Sequence, residues 1–319
     1  MATAALPYID WSAFAMEVAE GLGSGGQKTL ASSWLYDDIG SALFEVITLL
    51  PEYGLTRADA ALLARYSGEI VLEAGNPRIV IELGSGTGTK TRHVLSAAAP
   101  VEYFPIDISP SALASCAATL GEVRGVHVKP IEANYLEGID LALAHRRTNE
   151  PAMILFLGST IGNFSRTEAV SFLRSIRQRL KPGDSLLLGG DLVKPHARLI
   201  SAYDDPSGVT AAFNLNILGR INRELGGQFN IRQFAHEARF NERRSRVEMH
   251  IRSKIKQSVE ITDLNRTVCF VENETIWTES SHKFQTLELE LMGARSGWTP
   301  LGQWLDHEWG FAETLFGIR

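Results

Sequence analysis

The stretch Ile81-Glu82-Leu83-Gly84-Ser85-Gly86-Thr87-Gly88 follows the run Arg78-Ile79-Val80 and leads into Thr89-Lys90-Thr91-Arg92-His93-Val94-Leu95. A β-branched apolar run that breaks into closely spaced glycines and then takes up helical periodicity predicts a strand, a tight turn and a helix. Glycines let the backbone approach a ligand and adopt positive φ, and a helix that starts there directs its free N–H groups at the same place. The stretch therefore predicts a loop that binds a nucleotide-like cofactor.

Two acidic residues beside the glycines indicate which cofactor to expect. The glycine spacing is G-x-G-x-G, whereas dinucleotide folds use G-x-G-x-x-G. Glu82, at the end of the first strand, would repel a pyrophosphate but suits S-adenosylmethionine, whose amino group and sulfonium are positive. Asp107 ends the next apolar run, where an acidic residue can accept both ribose hydroxyls. These features favour a methyltransferase with Glu82, Gly84, Gly86 and Asp107 at the cofactor, over a nicotinamide oxidoreductase or a purely structural turn.

Composition limits the remaining classes. A chain of 319 residues predicts either one large α/β domain with an insertion or two domains. A net charge of −6 without a basic block argues against a nucleic-acid partner. Cys116 and Cys269 are interpreted as small core residues without metal-ligand spacing. No segment has the pattern of a signal peptide or a membrane span. We therefore expect a cytoplasmic monomer with no metal and no membrane partner.

Strand-like and helix-like segments alternate from about residue 78 to residue 194, which predicts a parallel sheet covered on both faces. Helices are expected over 110–120 and 166–180, and Thr56 is expected to cap a helix that runs to about Ser67. The strands are expected over 78–83, 101–106, 126–131, 152–157 and 185–190. Ligands bind at the carboxyl ends of such strands.

After Lys194 the alternation stops, which marks a domain boundary. Polar and apolar residues alternate over 229–272, which predicts antiparallel strands of an inserted second lobe. A short helix is expected to open at Thr278, and a last hairpin is expected between Gly297 and Phe311. The predicted domains are 57–194 with 284–319, and 1–56 with 195–283.

Four runs carry a resemblance to a known family. They are Leu35–Phe44, Leu50–Tyr53, Phe156–Phe164 and Gly208–Asn214. Together they resemble the bacterial histidine Nα-methyltransferases of ergothioneine biosynthesis, and the similarity covers nearly the whole chain. The resemblance implies an α/β fold: a Rossmann-like S-adenosylmethionine-dependent methyltransferase domain with a second, substrate-binding lobe formed by the N-terminus and an insertion. It also implies trimethylation of the α-amine of L-histidine to hercynine.

The resemblance assigns site residues in four groups. The carboxylate of histidine would be bound by Tyr53, Asn163 and Tyr203. The amine that gains methyl groups would be surrounded by Tyr36, Phe44 and Gly158. The imidazole would be held by Glu279 and Ser281, with Thr210 supporting the ring and Met249 lining the pocket. The cofactor positions would be Gly84, Lys90, Asp107, Asn134 and Tyr135.

Glu279 discriminates most strongly among these residues. A carboxylate in a partly apolar pocket is costly without a cationic or N–H-bearing partner, and imidazole supplies one. The competing interpretation is a carboxylate at a helix start, which the helix dipole would favour.

Three alternatives remain open on the sequence. A methyltransferase of the same family could act on another aromatic amino acid, although Glu279 and Met249 speak against it. A catalytically silent cofactor-binding protein is disfavoured by the intact glycine loop. A nicotinamide oxidoreductase is disfavoured by Glu82 and the glycine spacing.

Overall fold

The computed structural model describes residues 11–23, 25–147 and 150–318. The α-helices in these residues are α1 (Trp11–Gly23), α2 (Asp38–Leu49), α3 (Leu55–Glu73), α4 (Arg92–Ala98), α5 (Pro110–Leu120), α6 (Tyr135–Leu143), α7 (Arg166–Arg177), α8 (His196–Tyr203), α9 (Val209–Leu225) and α10 (Thr286–Arg295). The β-strands are β1 (Lys28–Thr29), β2 (Ile79–Leu83), β3 (Val101–Asp107), β4 (Val126–Val128), β5 (Ile131–Glu132), β6 (Ala152–Phe156), β7 (Ser185–Asp191), β8 (Phe234–Asn241), β9 (Arg246–Ser253), β10 (Gln257–Ile261), β11 (Arg266–Phe270), β12 (Thr275–His282), β13 (Thr299–Asp306) and β14 (Phe311–Gly317).

The described residues divide into two compact units. The smaller unit comprises the segment up to Glu52, His196–Glu242 and Val247–Ser280. The larger unit comprises Tyr53–Pro195, Arg243–Arg246 and the segment from Ser281 onward. The long segments of these units end within about four residues of the domain boundaries expected from the sequence, whereas residues 243–246 were expected in the other domain. Each unit has its own sheet.

The larger unit is built on an eight-stranded sheet of order β13-β14-β7-β6-β2-β3-β4, with β5 also paired to β3. β2 lies between β3 and β6 and runs parallel to both, with Ile81 beside Phe104 and Ile154. Every residue of β2, β6, β7 and β14 is buried, as expected for strands covered on both faces. The predicted parallel α/β sheet is therefore confirmed.

The last two strands add an antiparallel edge to this sheet. β14 pairs antiparallel with β7 and with β13, which confirms the predicted final hairpin. The predicted strand over 126–131 is divided into β4 and β5, because Pro130 at the break has no N–H to donate to a ladder. The core packs side chains of α6, α7 and α10, such as Ile139, Leu173 and Leu289, against the central strands.

Two helix starts differ from the sequence predictions. α3 begins at Leu55 with Gly54 as its N-cap, and not after Thr56. The reason is tertiary packing, since a Cβ on Gly54 would lie only 2.2 Å from the ring of Trp309. The prediction of a short helix that opens at Thr278 is wrong, because Thr278 lies in β12 and the next helix, α10, begins at Thr286.

The smaller unit contains a four-stranded sheet of order β1-β12-β9-β8 and the antiparallel pair β10-β11. The antiparallel strands predicted over 229–272 are thus present. Asp37 caps α2 by accepting a hydrogen bond of 2.7 Å from the Gly40 N–H, and it also accepts bonds from Asn216 and Arg223 of α9. One carboxylate therefore joins the start of α2 to α9.

The two cysteines differ in burial. Cys116 is buried, as expected, but Cys269 is exposed, so its assignment to the core is wrong. Its neighbours Val268 and Phe270 are the buried residues of β11, and strand alternation turns Cys269 outward. Among the described helices, none is long and apolar enough to cross a membrane.

Candidate active site

The glycine loop of the larger unit has the backbone conformation that its sequence predicts. Gly84, Gly86 and Gly88 have φ values of +70°, +51° and +70°. A Cβ on Gly84 would lie 3.1 Å from the hydroxyl oxygen of Tyr135, and a Cβ on Gly88 would lie 2.6 Å from Leu120. Left-handed backbone and close neighbours both require glycine here. The loop after β2 is therefore a tight cradle of backbone with little room for side chains.

Glu82 lies beneath this loop with 1% of its surface exposed. Its carboxylate accepts hydrogen bonds from the hydroxyl of Thr91, at 2.8 and 2.9 Å, and from the hydroxyl of Tyr103. Burial raises the pKa of Glu82 to about 7, although these two hydroxyls oppose the shift. Its contacts hold the two sides of the loop together, and a direct contact with a cofactor stays a prediction.

Asp107 ends β3 beside the glycine loop. Its two carboxylate oxygens accept backbone hydrogen bonds from Ser109 at 2.9 Å and from Gly86 at 3.4 Å. Burial raises the pKa of Asp107, while these N–H donors oppose the shift. The carboxylate that the sequence assigns to the ribose is thus fixed against the cradle.

Asn134 and Tyr135 begin α6, at the next strand end along the sheet. The Asn134 side chain caps α6 by accepting from the Glu137 N–H at 3.1 Å, and it donates to the Glu137 carboxylate at 3.0 Å. The Tyr135 ring packs edge-on against Phe156, and burial together with the charge of Asp107 raises the pKa of its hydroxyl to about 12. Tyr135 is therefore a neutral hydroxyl beside Gly84.

Lys90 and Gly158 meet at a residue that sequence reasoning missed. Asp59 of α3 is completely buried, and one of its oxygens accepts from the Lys90 ammonium at 2.5 Å and from the Gly158 N–H at 2.9 Å. Burial acts to lower the pKa of Lys90, but the charge of Asp59 and its hydrogen bond outweigh this and raise it. A Cβ on Gly158, whose φ is +69°, would lie 3.0 Å from the ammonium. Lys90 is thus a fixed cation at the end of β6.

The other predicted residues of the larger unit come from three separate segments. Asn163 is exposed at the end of a 3₁₀ turn, and Tyr53 is 7% exposed. Ser281 accepts a hydrogen bond of 2.8 Å from the buried ammonium of Lys283, which also pairs with Asp191 at 2.8 Å. Sequence reasoning missed Lys283, because a lysine in an alternating segment is usually solvated.

In the smaller unit, Tyr36 and Phe44 form an aromatic cluster with Phe213. The ring centroids are 5.5 Å apart for Tyr36 and Phe44, 5.4 Å for Tyr36 and Phe213, and 5.9 Å for Phe44 and Phe213. Such distances are those of favourable aromatic pairs. The structure thus brings together the two predicted aromatic residues, and Phe213 of α9 is an additional member of the group.

A buried polar network in the same unit connects further predicted residues. Asn214 donates to His236 Nδ1 at 2.9 Å and to the His250 carbonyl at 3.0 Å, and it accepts from Thr278 at 2.6 Å. His236 is bonded through Nε2 to the Tyr203 carbonyl at 2.7 Å. Because Asn214 donates to Nδ1, Nε2 must carry the ring proton, and burial lowers the pKa of His236.

Hydrogen bonds also fix the backbone next to three other predicted residues, Met249, Thr210 and Glu279. Thr278 also donates to the Met249 carbonyl at 3.1 Å, so adjacent strands β9 and β12 are joined beside Glu279. Thr210 is buried near the start of α9, where its N–H donates to Asp205 at 2.7 Å. Glu279 is half-buried within a strand, which makes the interpretation as a helix-start carboxylate wrong.

The described residues offer no group of three His, Cys, Asp or Glu that could hold a metal ion. What they offer in the larger unit is a backbone cradle flanked by Asp107, Lys90 and Tyr135. Such an arrangement fits a nucleoside ligand, since it supplies an acceptor for ribose hydroxyls and backbone without bulky side chains.

Comparison with known proteins gives consistent results. A family model described as histidine-specific, S-adenosylmethionine-dependent methyltransferase matches residues 14–317. A histidine N-alpha-methyltransferase of Mycolicibacterium smegmatis is 39% identical over 305 residues, covering 94% of this chain and 93% of the relative. One of Mycobacterium tuberculosis is 40% identical, covering 92% of each. An L-tryptophan methyltransferase of Psilocybe serbica is 27% identical, covering 89% of this chain and 86% of the relative.

Proposed function

Because this chain belongs to the family of histidine-specific, S-adenosylmethionine-dependent methyltransferases, we propose that it trimethylates the α-amine of L-histidine to hercynine, the first step of ergothioneine biosynthesis. The observation that carries the proposal is the extent of the match, which includes both structural units and runs from residue 14 to residue 317. The two mycobacterial relatives, at 39% and 40% identity over nearly full length, support the same substrate.

The residues of the larger unit fit the cofactor. Gly84 and Gly86 provide backbone at the cradle, Asp107 would accept the ribose hydroxyls, and Asn134 with Tyr135 would border the adenine. Lys90 would stand at the methionine end of the ligand. Glu82 would act chiefly through the loop that it holds, because its oxygens already accept from Thr91 and Tyr103. S-adenosylmethionine, when bound, supplies a methyl group on a sulfonium.

The residues that the family resemblance assigns to histidine are proposed separately for each unit. The larger unit would contribute Tyr53 and Asn163 to the carboxylate, Gly158 to the amine and Ser281 to the imidazole. The smaller unit would contribute Tyr203 to the carboxylate, Tyr36 and Phe44 to the amine, and Thr210, Met249 and Glu279 to the side chain. Neutral donors suit a carboxylate, and Glu279 suits an imidazole N–H.

The aromatic pair Tyr36 and Phe44 gives the amine site its chemical character. Successive methyl transfers convert the amine into a quaternary ammonium, which carries a permanent positive charge. Aromatic faces attract such a cation by about 0.5–2 kcal/mol. This attraction would retain partly methylated intermediates until the third transfer. Placing the amine and excluding water are the enzyme's main tasks, because methyl transfer needs alignment more than acid or base groups.

The protein is further proposed to act as a monomer in the cytoplasm. The location is supported by Cys116 and Cys269, which form no disulfide, as is usual in a reducing compartment. Size-exclusion chromatography with light scattering would measure the oligomeric state.

The proposed activity is tested by mass spectrometry of purified protein incubated with S-adenosylmethionine and all twenty amino acids. We expect a mass gain of three methyl groups on histidine and on no other amino acid. The matched control is Asp107→Ala, which removes the carboxylate expected at the ribose and should lower the rate strongly. Methylation of tryptophan or another aromatic amino acid instead of histidine would overturn the assigned substrate, and no methylation would favour a silent cofactor-binding protein.

A further inference from the structure

Two buried carboxyl groups lie beside Lys90, and neither is part of the site assigned above. Asp59 belongs to α3 and Glu313 to β14, and both are 0% exposed. Their neighbours are Lys90, from the glycine loop, and the backbone N–H of Gly158, at the end of β6. The cluster therefore joins four parts of the chain that are distant in sequence.

The hydrogen bonds of this cluster are unequally distributed. Asp59 Oδ2 accepts from both Lys90 and Gly158, at 2.5 and 2.9 Å. In contrast, Asp59 Oδ1 and both carboxyl oxygens of Glu313 are buried and accept from no donor in the described chain. A buried carboxylate without a donor is costly. Three buried carboxyl oxygens thus lack a hydrogen-bond donor.

A glycine allows Glu313 to reach this place. Glu313 is directly opposite Gly189 in the pairing of β14 with β7. A Cβ on Gly189 would lie 2.9 Å from Glu313 Oε1 and 3.2 Å from the Gly158 nitrogen. The missing side chain at Gly189 therefore lets the Glu313 carboxyl approach the same strand end that Asp59 holds.

Charge balance indicates how the cluster is protonated. Two carboxylates and one ammonium would leave an uncompensated negative charge in a buried place, which proteins avoid. A proton on Glu313 removes that charge and supplies the missing donor for Asp59. Burial, followed by the charge of Asp59, raises the pKa of Glu313 well above its ordinary value, and Lys90 only partly opposes this.

We propose that Glu313 and Asp59 share a proton, and that this singly charged carboxyl pair positions Lys90 and the Gly158 N–H at the cofactor edge of the sheet. Glu313 donates to Asp59, and Asp59 stays ionised and accepts from Lys90 and Gly158. Both are positioning residues. The inference rests on the proposed function only in so far as Lys90 and Gly158 serve the cofactor and the amine.

The first part of the test compares two replacements of Glu313. Glu313→Gln keeps an N–H donor for Asp59 and stays neutral, whereas Glu313→Leu removes the donor. We expect Leu to raise the dissociation constant of S-adenosylmethionine, measured calorimetrically without amino acid, by about tenfold or more. Glu313→Gln should keep this dissociation constant within about threefold of the native value. Asp59→Asn should also weaken binding by about tenfold or more, because it leaves the half-buried Lys90 without a counter-charge.

The second part reads the proton directly by infrared spectroscopy at neutral pH. We expect a carboxylic-acid carbonyl band in the native protein that Glu313→Gln removes. Glu82→Gln is the matched control, since Glu82 is also a buried carboxyl with a pKa of about 7 and adds an acid band of its own that fades as pH rises above 7. The band that Glu313→Gln removes should remain in Glu82→Gln. This measurement needs neither turnover nor the Leu variant, so it remains decisive where Leu prevents folding.

Three results would overturn the proposal. One is that Gln weakens cofactor binding as much as Leu does, which would mean that Glu313 is ionised. Another is that Leu, Gln and Asp59→Asn all bind the cofactor like the native protein. The third is that the native protein shows no acid band sensitive to Glu313→Gln. A native protein that binds the cofactor but does not methylate histidine would refute the proposed function. The binding and infrared tests of the carboxyl pair would still apply, because they do not depend on turnover.

Discussion

The buried carboxyl of Glu82 makes the stability of the larger unit depend on pH. Its pKa rises from an ordinary 4.5 to about 7, chiefly through burial. The folded protein therefore holds this proton more tightly than the unfolded chain does. The stability gained from the protonated form is fully present below about pH 4.5 and is lost as pH rises through about 7.

The size of this effect follows from the shift. A change of one pKa unit corresponds to about 1.36 kcal/mol, so the difference between 4.5 and about 7 gives roughly 3 kcal/mol. Glu82→Gln removes the titration but keeps a neutral side chain of the same shape. The substitution also changes the unfolding free energy by an amount that does not depend on pH, because the amide cannot bond Thr91 and Tyr103 as a carboxyl does. Only the pH-dependent part of the difference is therefore informative.

The assay is urea unfolding at several pH values between about 5 and 8, followed by circular dichroism. Relative to the native protein, Glu82→Gln should gain about 2.5 kcal/mol of unfolding free energy as pH rises from about 5 to 8, because about 0.8 kcal/mol of the full difference is already lost at pH 5. Glu122→Gln, which replaces an exposed carboxyl of the same unit, is the matched control and should show no such trend. A difference that is constant with pH, or that changes in the opposite direction, would refute the reasoning.

Three further predictions concern the site. Glu279→Ala should raise the histidine KM about 10- to 100-fold and relax amino-acid selectivity, because a charge-assisted hydrogen bond is lost; unchanged steady-state kinetics would remove Glu279 from the site. Asn214→Ala should lower the unfolding free energy by about 2–4 kcal/mol, since it breaks three buried hydrogen bonds, and urea denaturation measures it. Gly84→Ala should weaken S-adenosylmethionine binding at least tenfold in calorimetry, because its φ is +70° and Tyr135 lies close; Gly183→Ala, with a φ of +91° and open space, should cost stability alone.

The parts of the fold that could be predicted are those with a local signal. The strands of the parallel sheet are runs of apolar residues, and the turn after Leu83 is marked by its glycines. The start of α3 could not be predicted, because the contact of Gly54 with Trp309 joins residues far apart in sequence. The helix predicted to open at Thr278 was wrong, because the partners of the Thr278 hydroxyl, Asn214 and the Met249 carbonyl, lie far from it in sequence.

The same distinction applies to the candidate site. Lys90 and Asp107 stand next to the glycine pattern or at a fixed distance from it, so their places were accessible from the sequence. Asp59 and Glu313 occupy an ordinary helix and an ordinary strand, and nothing nearby in sequence marks them as buried carboxyls. Only the sheet order, which inserts β14 beside β7, brings Glu313 to the end of β6.

The position of Glu313 on β14 also has a consequence for biosynthesis. The glycine loop, α3 and β6 all leave the ribosome before β14, yet β14 lies inside the sheet between β7 and β13. A nascent chain that has emerged only as far as α10 has Asp59 and Lys90 but lacks the proton donor proposed for Asp59. We therefore expect the cofactor edge to reach its final form only after synthesis has passed residue 313, so that early cofactor capture by the growing chain is disfavoured.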